Sequence, residues 1–451
     1  MTTLESNQSD IDWLLSGVTV LTANANQPII RDGYLGVRSD RIVWLSNSAP
    51  IGTNVKNELH LADHWVTPGF INPHMHAILC MVRGVAADLG FAPSYTPGIP
   101  KGTQVNPEQA RALARLGALE AMLAGSTLIG DNFVHADITT DAMSELGVRL
   151  CPSWRIHDVD FSRVGQGEWH HSNEIGDRTI RAAMDLHDKW KNHPLVKVNL
   201  AAHAVDTCSE PFLKRVAQLS HDNNMWVSTH LGQSQIEVER VKSRSGKSST
   251  EVLDETGLLN HRLLAGHCIY MAETDIALLA KNGAHIVHIP KCNAASGRLA
   301  PTPTFKNAGI NICLATDTQH GDMIELLRWA LATARIQNNC VNSDWQPHHV
   351  FHMATMGGAK ALGMEDEIGS LDVGKKADLV VIDATQPHLR PHVNPLGTLV
   401  HNGLGRDVSR VMVNGEWVVI AGLPTRVDLE EVTIAAEKAA KELWLAEGFK
   451  Y

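Results

Sequence analysis

In "NPHMH" (72–76), His74 and His76 stand one residue apart. Side chains alternate along a β-strand, so on a strand both imidazoles point to one face. Two neutral imidazoles aimed into one cavity supply half of a transition-metal site. Further along, His230 ends the apolar run "MWVSTH", His267 ends "RLLAGH" and Asp317 ends "NICLATD". Three histidines and one carboxylate suit zinc, or iron, manganese or cobalt at similar geometry, with water in the open position. A metal so held lowers the pKa of its water from about 15.7 toward about 7, which makes that water a nucleophile at neutral pH.

Residues so far apart in sequence need an architecture that gathers strand ends. Between about 67 and 370, β-rich runs ("STLIGDNF", "LVKVNLAAHA", "AHIVHIP") alternate with helix-like stretches such as "PEQARALARLGALEAMLA" and "IELLRWALATARIQ". Repeated β then α predicts parallel strands with helical crossovers, most economically an α/β (β/α)₈ barrel with its active site at the C-terminal strand ends. Short strands fill the first sixty residues ("GVTVLTA", "GYLGVRSD", "RIVWLS"). They recur after 370 ("ADLVVIDA", "VSRVMVNGEWVVIAG"), where Asn414-Gly415 signals a hairpin. The expected division is 1–66 as one part of an end-built β-sandwich, 67–370 as the barrel, and 371–451 as the second part with a C-terminal helix. That amphipathic helix is expected to pack on its own chain or a neighbouring subunit.

The 451 residues carry a formal net charge of −10, which disfavours a nucleic-acid surface or a polybasic membrane patch. No apolar run approaches the length of a membrane span, and no basic segment opens the chain. Seven scattered cysteines without a CxxC pair read as reduced thiols. A cytoplasmic enzyme acting on a small molecule, and forming a homo-oligomer, is expected.

The motifs "TPGFINPHMH", "AAHAVDTCSEPF", "STHLGQ", "LLAGHCIYM", "HIPKCNAASGRLAPTPTFKNAGINICLATD" and "EIGSLDVGKKADLVVID…VMVNGEWVV" resemble, in order and spacing, the amidohydrolase superfamily. They are most similar to its deaminase and chlorohydrolase group, which includes S-adenosylhomocysteine, guanine and 8-oxoguanine deaminases and s-triazine hydrolases. The resemblance covers nearly the whole chain. It implies the barrel, a β-sandwich from both chain ends, and one catalytic divalent metal, Zn²⁺ first, with Fe²⁺, Mn²⁺ or Co²⁺ as alternatives. It implies His74, His76, His230 and Asp317 as ligands, with His267 polarising the attacking water. His203 matches a substrate-contacting histidine, and Asn293 and Pro290 match a turn near the substrate pocket. Asp317 is also a carboxylate able to accept the proton of that water.

Two positions depart from the group's pattern. Where the deaminases carry H-x-x-E, this chain has His230-Leu-Gly-Gln233. A carboxamide cannot shuttle a proton at neutral pH; it only donates or accepts hydrogen bonds. His267 and Asp317 then do all the proton transfer, or Glu237 or Asp206 reaches in, or catalysis has been lost and binding kept. After Asp317 the loop reads "TQHGD", adding His320 as a substrate contact, a second base or a solvated loop residue, beside Asp322. Asp131 and His135 are further candidates for pocket lining. Lys197 raises the alternative of a carbamylated lysine bridging two metals. His157, His170 and His171 read as surface or lid residues, and His348, His349 and His352 as helix packing. The segment 82–109 reads as a loop over the barrel mouth.

The leading expectation is metal-dependent hydrolysis that displaces an amino, alkylamino or halide group from an N-heterocycle. A second is cleavage of an open-chain amide, urea or carbamate C–N bond, where no ring protonation is needed. A decarboxylase or a catalytically silent binding protein is the alternative from another class.

Overall fold

The computed structural model describes residues 10–89, 96, 98–318 and 320–449. Eight parallel strands form the barrel: β1 (Phe70–Met75), β2 (Ser126–Phe133), β3 (Ser153–Ile156), β4 (Leu200–Ala204), β5 (Val227–Leu231), β6 (Leu263–His267), β7 (His285–His288) and β8 (Ile312–Leu314). Each pairs in parallel with the next in chain order. All six residues of β1 and all eight of β2 are buried. That two-sided burial is why these runs read as continuously apolar rather than alternating. Beyond β8 the chain meets β1 again: Asp317 donates its N–H to the His74 carbonyl at 3.2 Å, and His76 donates to the Asp317 carbonyl at 2.9 Å. The barrel therefore closes at the H-x-H motif.

Helices cover the strands for local reasons. Asn106 caps helix Pro107–Leu123 reciprocally with Gln109, with proline at the first turn. A Cβ at Gly117 on this helix would lie 2.3 Å from the Ala77 carbonyl oxygen. Glycine thus lets the helix sit directly against the residue that follows His76. The C-terminal helix, Leu429–Ala446, packs on that helix of its own chain, and Trp444 Nε1 donates to the Met81 carbonyl at 2.8 Å.

The chain ends meet in one nine-stranded sheet. Leu379–Asp383 pairs with His64–Pro68, which pairs with Ile11–Leu21. This sheet has its own core, in which Leu15, Val37 and Val66 pack with Leu379, Val381 and Met412. Arg149, just before the barrel strand β3, is locked to Asp378 by two 2.9 Å hydrogen bonds. Among the described residues no helix is long and apolar enough to cross a membrane. Six cysteines are buried as free thiols and Cys340 is exposed.

Candidate functional site

The ring nitrogens of His74, His76 and His230 lie within 4.8 Å of one another at the C-terminal strand ends. Asp317 Oδ1 is 3.3 Å from His76 Nε2 and 3.8 Å from His74 Nε2. His76 Nδ1 donates to the Asn132 carbonyl at 2.5 Å, and His230 Nδ1 to the His203 carbonyl at 2.6 Å. A carbonyl only accepts, so each Nδ1 carries the proton and each Nε2 keeps its lone pair. His74 Nε2 is buried without a hydrogen-bond partner. Tetrahedral ligands at zinc–nitrogen distance stand roughly 3.4 Å apart. The donor set fits a divalent cation: it offers lone pairs at near-ligand spacing, with the second ring nitrogens of His76 and His230 held by backbone.

Protonation agrees. Burial drives His74 and His76 well below the usual histidine range, His230 down to about 4 and His267 to about 3, so all four rings are neutral. Burial also raises Asp317 to about 7, and a cation at its side would oppose that shift.

His267 Nδ1 stands 3.0 Å from Asn293 Oδ1, and its Nε2 is 3.9 Å from Asp317 Oδ2. That gap is too long for a direct hydrogen bond and leaves room for a bridging oxygen. His267 (φ 67°) and Asp317 (φ 65°) both adopt the left-handed backbone region, a strain of about 1–3 kcal/mol each that clusters at functional sites.

The other predicted residues divide. His203 is buried against the cluster, its ring 5.1 Å from that of His230 and its Nδ1 2.8 Å from Thr207 Oγ1. Asn293 is fully buried behind His267. Gln233 is buried just past β5. His320 is no solvated loop residue: it is buried, and among the described residues neither ring nitrogen has a hydrogen-bond partner, near the Lys291–Glu325 pair. Asp322 caps helix Met323–Gln337, and Asp131 accepts the Ala77 N–H at 2.8 Å; both hold backbone. His135 has φ 63° before helix Ala136–Ser144. Glu237 is buried, but its two oxygens accept backbone amides. Asp206 is buried beside it.

Lys197 lies before β4, donating to the Leu362 carbonyl at 2.7 Å and sitting 3.9 Å over the Trp226 ring, so it is not among the clustered donors. His157 departs from the surface expectation: it is buried, its Nδ1 bonded to the Val159 carbonyl at 2.9 Å. His348, His349 and His352 lie on helix Pro347–Ala354, but His348 and His352 are exposed on it rather than packed. Of the segment 82–109, residues 90–95 and 97 lie outside the described residues; Ala86–Leu89 forms a helical turn.

Sequence reasoning missed Arg155. Its guanidinium is buried between the rings of Phe133 and Phe161, 4.9 and 4.8 Å away. Its charge helps to depress His76, His203 and His230. The available signal was a charged residue inside the otherwise apolar "CPSWRI". A separate cavity of about 690 Å³, lined by Ile312, Phe351 and Leu396 among others, contains none of the clustered residues.

With that geometry in place, comparison with known proteins is direct. The chain is 30% identical over 425 residues to a 5-methylthioadenosine/S-adenosylhomocysteine deaminase of Moorella thermoacetica, covering 90% of this chain and 94% of that one. It is 31% identical to a 5'-deoxyadenosine deaminase of Methanopyrus kandleri, over 84% and 86% of the two chains. Among solved structures, a zinc-bound adenosine deaminase of Xanthomonas campestris superposes with a TM-score of 0.87 at 25% identity, covering 96% of this chain and 99% of that one. A zinc complex of an atrazine chlorohydrolase from Arthrobacter aurescens shares the fold, with a TM-score of 0.84 at 21% identity over 95% and 100%. The sequence model of the Amidohydrolase family matches residues 65–418, from the last strand before the barrel into the returning end sheet. The chain belongs to the amidohydrolase family, and it is a hydrolase of C–N bonds.

Proposed function

We propose that this enzyme uses a divalent metal, zinc first among the candidates, to hydrolyse an amino-substituted N-heterocycle of the adenine-nucleoside class with release of ammonia. One observation carries the reading: three neutral imidazoles and Asp317 converge where the barrel closes, with His267 one oxygen's width from Asp317. His74, His76, His230 and Asp317 would hold the ion, which supplies Lewis acidity toward a water. The names of the relatives support the substrate class, since those proteins are deaminases of adenine nucleosides.

In the chemistry, a water oxygen forms a bond to the ring carbon that carries the amino group. Asp317 accepts the water proton, and His267, its Nδ1 held by Asn293, orients that water through Nε2. That proton passes to the leaving nitrogen, the C–N bond breaks with its electron pair on nitrogen, and ammonia leaves a hydroxy-heterocycle whose remaining O–H proton moves to the ring nitrogen to give the oxo form. Arg155 would donate to an acceptor atom of the substrate, while His203, whose Nδ1 proton goes to Thr207, would accept through Nε2, and Gln233 and His320 would complete the contacts. Gln233 itself favours a second reading, hydrolysis of an open-chain amide, urea or carbamate, because a carboxamide supplies no proton to a ring nitrogen.

A coupled ammonia assay of the metal-loaded enzyme against 5'-methylthioadenosine, S-adenosylhomocysteine, 5'-deoxyadenosine and amino-s-triazines tests the assignment. Ammonia with the matching oxo product supports it. No ammonia from these, with amine and carboxylate or CO₂ from linear amides or ureas, replaces it with the second reading.

A further inference from the structure

The corner after β5, where Gln233 stands in place of the group's glutamate, is fastened on both sides of its backbone. The Gly232 carbonyl accepts the N–H groups of Ile269 (3.1 Å) and Tyr270 (2.9 Å), and the Gln233 carbonyl accepts from Arg298 Nη1 at 3.4 Å. Gly232 has φ +56°, and a Cβ there would meet Met271 Sδ at 2.9 Å and the Tyr270 carbonyl oxygen at 3.0 Å. Only glycine fits. On the amide side, Gly232 N–H donates to Glu237 Oε1 and Gln233 N–H to Glu237 Oε2, each at 3.0 Å.

Glu237 is 1% exposed, and a buried carboxyl group is tolerated only where its polar atoms find hydrogen-bond partners. Here the donors are these two amides. The residue sits in the first turn of helix Gln235–Ser245, whose cap Ser234 accepts the Glu237 N–H at 3.2 Å. Asp206 and Ser249 are its other polar neighbours. Arg244, near Asp206, donates to the Val205 carbonyl at 2.9 Å. The helix start, the β4 loop and the Gln233 corner are thus tied into one unit. Each Glu237 oxygen already accepts a backbone N–H, which commits this side chain to the backbone of the corner.

We propose that Glu237 is a positioning residue, whose buried carboxyl group clamps the backbone N–H groups of Gly232 and Gln233 and fixes where the Gln233 carboxamide meets the substrate. The inference rests on Gln233 being a substrate contact in the proposed reaction. It differs from a purely structural role because its effect on turnover runs through one side chain.

Amide hydrogen exchange of the metal-loaded enzyme, read on a peptide spanning 228–236, tests the clamp without any substrate. The Gly232 and Gln233 amides should be protected in the wild type, although neither bonds to a backbone carbonyl in the described residues. Glu237→Gln should speed the exchange of at least one of them by roughly 2- to 10-fold, as for one lost hydrogen bond to an uncharged group, with metal content unchanged. Unprotected amides in the wild type, or equal exchange in the variant, overturn the clamp. If Glu237→Gln does not accumulate as folded protein, the wild-type protection decides alone.

Kinetics then test the route through Gln233. Comparing kcat/KM for Glu237→Gln, Gln233→Ala and the double variant should give a double variant no worse than Gln233→Ala. Effects that multiply independently would show a structural role and sink the positioning claim. If no ammonia-releasing substrate exists, the proposed function fails while the exchange data still judge the clamp.

Discussion

Asp317 and His76 are joined through their backbones as well as their side chains: the His76 N–H donates to the Asp317 carbonyl at 2.9 Å, while Asp317 Oδ1 lies 3.3 Å from His76 Nε2. The hydrogen bonds that close the barrel therefore also set the spacing of two proposed ligands. Removing the imidazole leaves that seam intact. His76→Ala should lose its metal and its activity together while the circular dichroism of the folded barrel persists. Elemental analysis should give one metal per wild-type chain and far less in the variant. A variant that unfolds at 25 °C would show the site to be structural. Mass spectra of the Lys197 peptide should show an unmodified lysine, and a carbamate there with two metals per chain would contradict the one-metal site.

Gln233 is buried, and a carboxamide contact to an uncharged substrate group is worth about one hydrogen bond. Gln233→Ala should then raise KM about tenfold with kcat little changed. Gln233→Glu restores a carboxyl, so its pH–rate profile should gain a limb that the wild type lacks, with faster ammonia release from aminoheterocycles. A loss of more than about a thousandfold in kcat for Gln233→Ala would instead place the amide in transition-state stabilisation.

Burial raises Asp206 to about 6, and burial together with Asp206 raises Glu237 to about 8. Both lie above ordinary carboxyl values, so the unfolded chain ionises first as pH rises. The fold therefore loses stability from about pH 4 upward, and the loss levels off beyond about pH 8. Asp206→Asn removes one acid and its repulsion of Glu237. In urea unfolding of the metal-loaded enzyme, the variant should gain on the wild type by on the order of 1–3 kcal/mol at pH 8 and lose that advantage near pH 4. An advantage that is larger at pH 4 would reverse the sign and refute the argument.

The Arg149–Asp378 pair, both partners nearly fully buried, ties the barrel to the returning end sheet. Asp378 also accepts the Asn414 N–H at 2.8 Å. Removing one partner strands a buried charge, so Asp378→Ala should cost about 3–5 kcal/mol in denaturant unfolding. The double variant Arg149→Met/Asp378→Leu should recover part of that loss. Equal stability of Asp378→Ala and wild type would mean that the pair is solvated.

The sequence alone determined the barrel and which residues fall at its rim. Parallel strands buried on both faces must be continuous apolar runs, and a residue that closes such a run falls on the C-terminal rim. Hence the rim positions of His230, His267 and Asp317 are legible in the sequence, and the period of two puts His74 and His76 on one face. Only the tertiary structure decided what surrounds them. Arg155 enters the site because β3 brings it between Phe133 and Phe161, residues remote or unremarkable in sequence. His157 is buried rather than exposed because its Nδ1 finds the Val159 carbonyl in a turn that no periodicity announces. Glu237 turns both oxygens to the backbone amides of Gly232 and Gln233, partners that only the fold brings to it. Periodicity reports which face a side chain takes, whereas hydrogen-bond partners and burial depend on contacts between segments far apart in the chain.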